Sequence, residues 1–152
     1  MEKLSFKTTI DAPRETVWNI LWNEQTYREW TSVFSEGSTV ETDWKEGSKI
    51  LFLDGKGEGM VSRIARRKEN EFMSFEHLGE VHKGAEDVDS EKVKAWAGAF
   101  ENYTLKARDG KTDLTIELDI TDEFKDYFRD TWPKALDKLK SLAEKSRQEA
   151  VY

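Results

Sequence analysis

Titratable side chains set inside otherwise apolar segments are where chemistry would begin, and this chain has few of them. Glu58, Glu76, His77, Glu101 and Tyr103 each stand among apolar neighbours, the setting in which a carboxylate, imidazole or phenol could orient a bound molecule or move a proton. Alternation along residues 72–78 puts His77 with Met73 and Phe75, and Glu76 with Phe72 and Leu78. Both sets are apolar, so either face could be the inner one. A histidine satisfied in a core or on a surface is the commoner case. The other histidine, His82, follows five residues later, which on a regular strand sends the two rings to opposite faces. The chain contains no cysteine, so with this histidine pair a zinc or iron site lacks a ligand set. No metal or other cofactor is expected. Gly55-Lys56-Gly57-Glu58-Gly59 looks like a phosphate loop only superficially, because it joins two strands and no helix N-terminus follows to present N–H groups to an anion. There is no Gly-x-Ser-x-Gly elbow, and Ser48 and Ser62 have no base beside them in sequence, so no catalytic nucleophile is expected.

The 152 residues fit a single domain spanning 1–152, large enough to bury roughly 70% of the surface exposed by the unfolded chain. With 24 Lys+Arg against 31 Asp+Glu the formal net charge is −7, which repels nucleic-acid phosphates unless a local basic patch overrides it. Only Arg63, Arg66, Arg67 and Lys68 approach such a patch. No aromatic platform interleaves with them, and they read as solvated charge. The opening residues alternate polar and apolar without a signal-peptide core, and no run approaches the ~18 apolar residues of a membrane span. A soluble, cytoplasmic protein with no nucleic-acid or membrane partner is expected; oligomeric state is left open.

The elements that would position the polar residues follow from periodicity. Leu4, Phe6, Thr8 and Ile10 share one parity, so residues 3–10 form a half-buried strand. Pro13 suits the first turn of a helix and Asp11 is available to cap it; Val17, Ile20 and Leu21 form its apolar face. Residues 24–34 make a second short helix, ended by Gly37 and Ser38. From Thr39 the period becomes 2 and a meander begins. The run Ile50-Leu51-Phe52-Leu53 suggests a strand covered on both faces. Asp109-Gly110 marks a hairpin between residues 100–107 and 113–120. From Asp122 to about Arg147 the helical period returns, with Phe124, Phe128, Trp132, Ala135, Leu136, Leu139 and Leu142 in one stripe. Pro133 interrupts it and should cost one backbone hydrogen bond, with a kink expected near Arg129.

In this order of elements the chain resembles the START-related (SRPBCC, Bet v 1-like) helix-grip superfamily, in particular its branch of chaperone ATPase activator homologues and polyketide cyclase-like proteins. The resemblance is carried by Ile10-Asp11-Ala12-Pro13 with Val17-Trp18, by Trp30, and by Trp44-Lys45-Glu46-Gly47. Gly59-Met60-Val61 and residues 132–140 beginning Trp132-Pro133 complete it. It implies an α+β fold: an antiparallel sheet of six or seven strands wrapped around a long C-terminal helix, with two short helices after strand one and an apolar cavity between. One such fold hosts many functions. Residues 79–99 depart from the pattern and read as an inserted loop or short helix, either a lid with Trp96 as its inner face or a solvated loop pinned by that tryptophan.

Trp22, Trp30, Trp44, Trp96 and Trp132 read most simply as core aromatics with a partner for each N–H. Within a cavity, the binding residues expected are Trp30, Trp44, Leu53, Met60, Phe75, His77, Trp96, Tyr103, Leu118, Phe128 and Trp132. The leading expectation is a binding protein for a small apolar or amphipathic molecule, lipid-like or aromatic. The alternative is a chaperone-interaction module of the ATPase-activator kind. A third is a cyclase or aromatase-like enzyme using cavity acids and His77 for proton transfer.

Overall fold

The computed structural model describes the backbone of residues 1–151 and the side chains of residues 1–146. Strand β1 (Glu2–Ile10) leads into helices α1 (Arg14–Trp22) and α2 (Glu24–Trp30) and a 3-10 turn at Thr31–Val33. A meander follows through β2 (Thr39–Glu41), β3 (Lys49–Leu53), β4 (Gly59–Lys68) and β5 (Phe72–His82). Then come β6 (Ala85–Asp87), the short helix α3 (Glu91–Lys94), β7 (Ala99–Arg108), β8 (Lys111–Ile120) and α4 (Asp122–Val151). The antiparallel sheet is ordered β1-β8-β7-β5-β4-β3-β2, with β6 attached to β5. This is the helix-grip arrangement: an open sheet around a long C-terminal helix.

Matching alternation explains the outer pairing. Leu4 lies opposite Leu118, Phe6 opposite Ile116 and Thr8 opposite Leu114, so β1 and β8 present one apolar face to α4. The β7–β8 turn is made by Asp109 and Gly110, both with positive φ (53° and 78°), the backbone a two-residue hairpin needs to match strand twist.

Several sequence expectations are corrected. The sheet has eight strands, because the expected insert folds into β6 as well as α3. Helix α1 starts at Arg14, with Pro13 at its N-cap and not at its first helical position. The strand from Thr39 ends at Glu41, and Trp44 turns the chain with φ 63°. On β3, Leu51 and Leu53 are only half-buried, so that apolar run is not covered on both faces. Helix α4 continues with Pro133 inside it on its exposed side, which leaves the expectation of a kink near Arg129 standing.

The two halves of α4 pack differently, and this creates the space for a site. Beyond Pro133, Ala135, Leu136, Leu139 and Ala143 are buried, and the two alanines allow the helix to close on its neighbours. Before Trp132 the same helix carries large aromatics, of which Phe124 and Tyr127 remain 48% and 45% exposed. Among the described residues no helix is long and apolar enough to cross a membrane.

Candidate ligand cavity

Where the N-terminal half of α4 stands off from the sheet, a cavity of about 550 Å³ opens. Helix α2 contributes Tyr27 and Trp30, and Phe34 follows from the turn after it. Strands β3 to β5 contribute Phe52, Met60, His77 and Val81. Trp96, Phe100, Glu101 and Tyr103 line the β7 side, and Leu118 and Ile120 the end of β8. Phe124, Tyr127, Phe128 and Trp132 form the helical wall. The size and aromatic lining suit a small organic ligand.

The parity that sequence left open is settled by the sheet. Met73, Phe75 and His77 face inward, while Glu76 turns out and holds Arg63 at 2.7 Å. Beyond His77, β5 bulges: its pairing with β4 passes from Ser62↔His77 to Val61↔Gly79 and skips Leu78. Past the bulge both Glu80 and Val81 line the cavity. Gly79 is required here, since a Cβ would lie 2.1 Å from the Asp87 carbonyl oxygen where β6 folds back on β5.

At the inner end lies a hydrogen-bonded chain drawn from three strands. Ser62 Oγ is 2.7 Å from His77 Nδ1, and His77 Nε2 is 3.1 Å from Glu101 Oε1. Tyr103 donates its O–H to Glu101 Oε2. A carboxylate accepts only, so Nε2 carries the imidazole proton and Nδ1 accepts from the Ser62 hydroxyl. Burial first, and then the charge of Glu101, raise the Tyr103 hydroxyl well above its ordinary pKa, which keeps it a donor. Tyr27 is raised by the same two causes in the same order. Ser62 is fully buried and outside the cavity wall, so this serine–histidine–glutamate arrangement presents no nucleophile to the cavity.

A second cluster occupies the mouth. The exposed ring of His82 lies 2.9 Å from Glu58 through Nδ1 and 2.8 Å from Glu80 through Nε2. Lys92 of α3 reaches Glu80 at 3.6 Å. The hydrogen bond to Glu80, then that to Glu58, raise the pKa of His82. Among the described residues no group of three His, Asp or Glu side chains converges as a metal site.

Of the residues expected to bind, Trp30, Met60, His77, Trp96, Tyr103, Leu118, Phe128 and Trp132 line this cavity. Three do not. Phe75 is fully buried beneath Phe52, with ring centroids 5.0 Å apart. Trp44 packs on Trp22, at 5.7 Å. Leu53 has the outward parity of β3. Tyr27, Phe34, Phe52 and Phe100 went unforeseen; strand parity could have signalled Phe52, which pairs with Met60, but not Phe100, which pairs with the outward Glu76. The tryptophan N–H expectation also needs correction: Trp30 donates to the Leu21 carbonyl at 3.2 Å, but the buried Nε1 groups of Trp22 and Trp132 have no partner. The basic cluster at the end of β4 is largely engaged, Arg63 by Glu76, Arg67 against Trp18 and Glu69, and Lys68 by Glu71.

Fold and cavity together define a helix-grip domain with an internal pocket. Residues 11–144 match the family described as Activator of Hsp90 ATPase homolog 1-like protein, and the chain belongs to that family. Among solved structures it is similar to ChR145 from Cytophaga hutchinsonii, at 24% identity over 97% of each chain and a TM-score of 0.71. It is also similar to the Aha1 dimer from Colwellia psychrerythraea, at 17% identity over 95% of this chain and 97% of that one, TM-score 0.72. A third is DynU16, a protein of the dynemicin biosynthetic locus, at 13% identity and TM-score 0.70, over 95% of this chain and 48% of that one. At these identities the likeness is one of fold. No curated protein matches the sequence.

Proposed function

We propose that this protein binds a small apolar or amphipathic molecule in the cavity between the sheet and the N-terminal half of α4. The observation that carries the reading is a cavity of about 550 Å³ with mainly apolar walls rich in aromatic rings, an inner polar corner at His77, Glu101 and Tyr103 and a second polar cluster at its mouth. Apolar burial would supply most of the affinity, with the polar corner setting orientation.

Native mass spectrometry of the purified protein against a panel of fatty acids and flat aromatics tests this. One bound molecule per chain is expected, with saturable change in tryptophan fluorescence. Shrinking Trp132 or Tyr103 should weaken binding, whereas His77→Ala should leave it nearly intact. The family description favours a second reading, a surface that engages a chaperone, and the exposed Phe124 and Tyr127 are its best support. Both residues stand on the cavity wall, which ties them to the pocket. Absence of any bound species across the panel, together with capture of an Hsp90-type chaperone, would favour the interaction module instead.

A further inference from the structure

The cavity wall holds one carboxylate that no Lys or Arg of the described residues answers. Glu58 and Glu80 share the exposed His82 ring at the mouth, Glu80 also has Lys92, and Asp119 faces Lys3 at 4.0 Å. Glu101 differs. Its oxygens accept from the His77 Nε2–H and the Tyr103 hydroxyl, and among the described residues no Lys or Arg lies within ion-pair distance of it. Its side chain belongs to the wall and is 20% exposed. A carboxylate taken out of most of its water without a counter-charge is costly, and a positive charge entering beside it offsets that cost.

The charge of Glu101 acts across the cavity, not only on its hydrogen-bond partners. After burial, it is the cause that holds up the pKa of Tyr103 on its own strand and of Tyr27 on α2, and both phenols line the cavity. The rings continue outward from this corner. Phe52 lies 5.9 Å from the His77 ring, Trp132 lies 6.2 Å from Tyr103, and Trp30 lies 5.5 Å from Tyr27. Aromatic faces attract an ammonium group, most strongly where water is excluded. The net charge of −7 also favours the approach of cations over anions.

We propose that the cavity takes an organic cation: an amphipathic amine whose ammonium group pairs with Glu101 while its apolar part lies among the aromatic walls. A neutral molecule of the same shape leaves the Glu101 charge unanswered, and a carboxylate brings a like charge beside it. This inference rests on the cavity-binding reading and, within it, ranks amines above fatty acids.

Three probes sharing one ring system separate the possibilities by isothermal titration calorimetry with the full chain: 2-naphthylmethylammonium, 2-naphthylmethanol and 2-naphthoate. We expect the ammonium probe to bind at least about tenfold tighter than the alcohol, a difference of the size one hydrogen bond to a charged group supports, and 2-naphthoate to bind most weakly. Glu101→Gln should bring the ammonium-to-alcohol ratio toward one. The imidazole signals of the only two histidines give a readout that needs no variant. His77 bonds Glu101 and His82 bonds the mouth carboxylates, so the ammonium probe should shift His77 more than His82. Equal or tighter binding of the alcohol or of 2-naphthoate would overturn the selection and leave cavity binding standing. An ammonium advantage that survives Glu101→Gln, or that shifts His82 and leaves His77 unmoved, would overturn the pairing with Glu101. Failure of all three to bind would overturn both readings.

Discussion

The two histidines sit a short distance apart on β5, and each lies between two oxygen partners, yet their surroundings give them different work. His77 is buried, fixed between Ser62 and Glu101, and belongs to a network whose far end, Tyr103, forms cavity wall. His82 is exposed and bridges Glu58 of the β3–β4 turn to Glu80 of its own strand at the cavity mouth. In the interior, where unmatched polar groups are costly, the partners fix tautomer and orientation. At the mouth, where water competes, the same pairing of imidazole with carboxylate serves chiefly to shift a proton equilibrium. One half of the pair is buried architecture at the cavity wall; the other is a surface contact whose proton equilibrium its partners shift.

The contrast makes a graded set of expectations. The largest effect belongs to the inner wall: Trp132 packs against Phe6, Trp30, Phe34 and Tyr103, so Trp132→Ala should destabilise the fold by about 3–5 kcal/mol, read as a lowered urea midpoint. A loss below about 1 kcal/mol would mean the aromatic wall bears little of the packing.

Next comes Glu101→Ala, which leaves the Tyr103 hydroxyl and His77 Nε2–H without their acceptor. A cost of about 1–3 kcal/mol per buried unpaired group is expected, reduced to the extent that water enters the corner. Tyr103→Phe in the same background should recover part of the loss, and additive losses in a double-mutant cycle would contradict the network.

The smallest effect is at the mouth. Because Glu80 and Glu58 favour the protonated ring, His82 holds its proton to a higher pH when folded than when unfolded. Its stabilisation is therefore complete below about pH 6.5 and is lost as pH rises through the folded-state value. The melting temperature of the wild type should exceed that of His82→Gln near pH 5.5 and equal it near pH 9. A difference that does not change with pH would remove His82 as the responsive group.

How much of this could be read in advance depended on the range of the interaction involved. Strand β1, the Asp109-Gly110 hairpin and the α4 stripe announce themselves through local period and turn chemistry. The order of those elements, carried by Pro13, Trp30, Trp44 and Trp132, was enough for the helix-grip arrangement. Side-chain direction on β5 was not legible, because Met73 and Phe75 are apolar on one face and Phe72 and Leu78 on the other. The bulge that skips Leu78 then broke the period-2 rule, and no single residue signals it. The His77–Glu101 contact joins residues 24 apart, and depends on the β5–β7 register, which alternation alone does not supply. Glu101 and Tyr103 share a face two residues apart, so that pairing was available once either was known to point inward. Trp44, Leu53 and Phe75 were misplaced because an apolar residue on the right element can equally be core, outer face or wall.

The central claim is that a ligand enters the cavity beside α4 and goes nowhere else, and the six tryptophans provide the measurement. Trp30, Trp96 and Trp132 line the cavity, whereas Trp18, Trp22 and Trp44 do not. In a ¹H–¹⁵N spectrum with indole signals assigned by substitution, titration with 2-naphthol should shift the first three indole N–H resonances and leave the second three in place. Movement of Trp18, Trp22 and Trp44 with Trp30, Trp96 and Trp132 unmoved would contradict it.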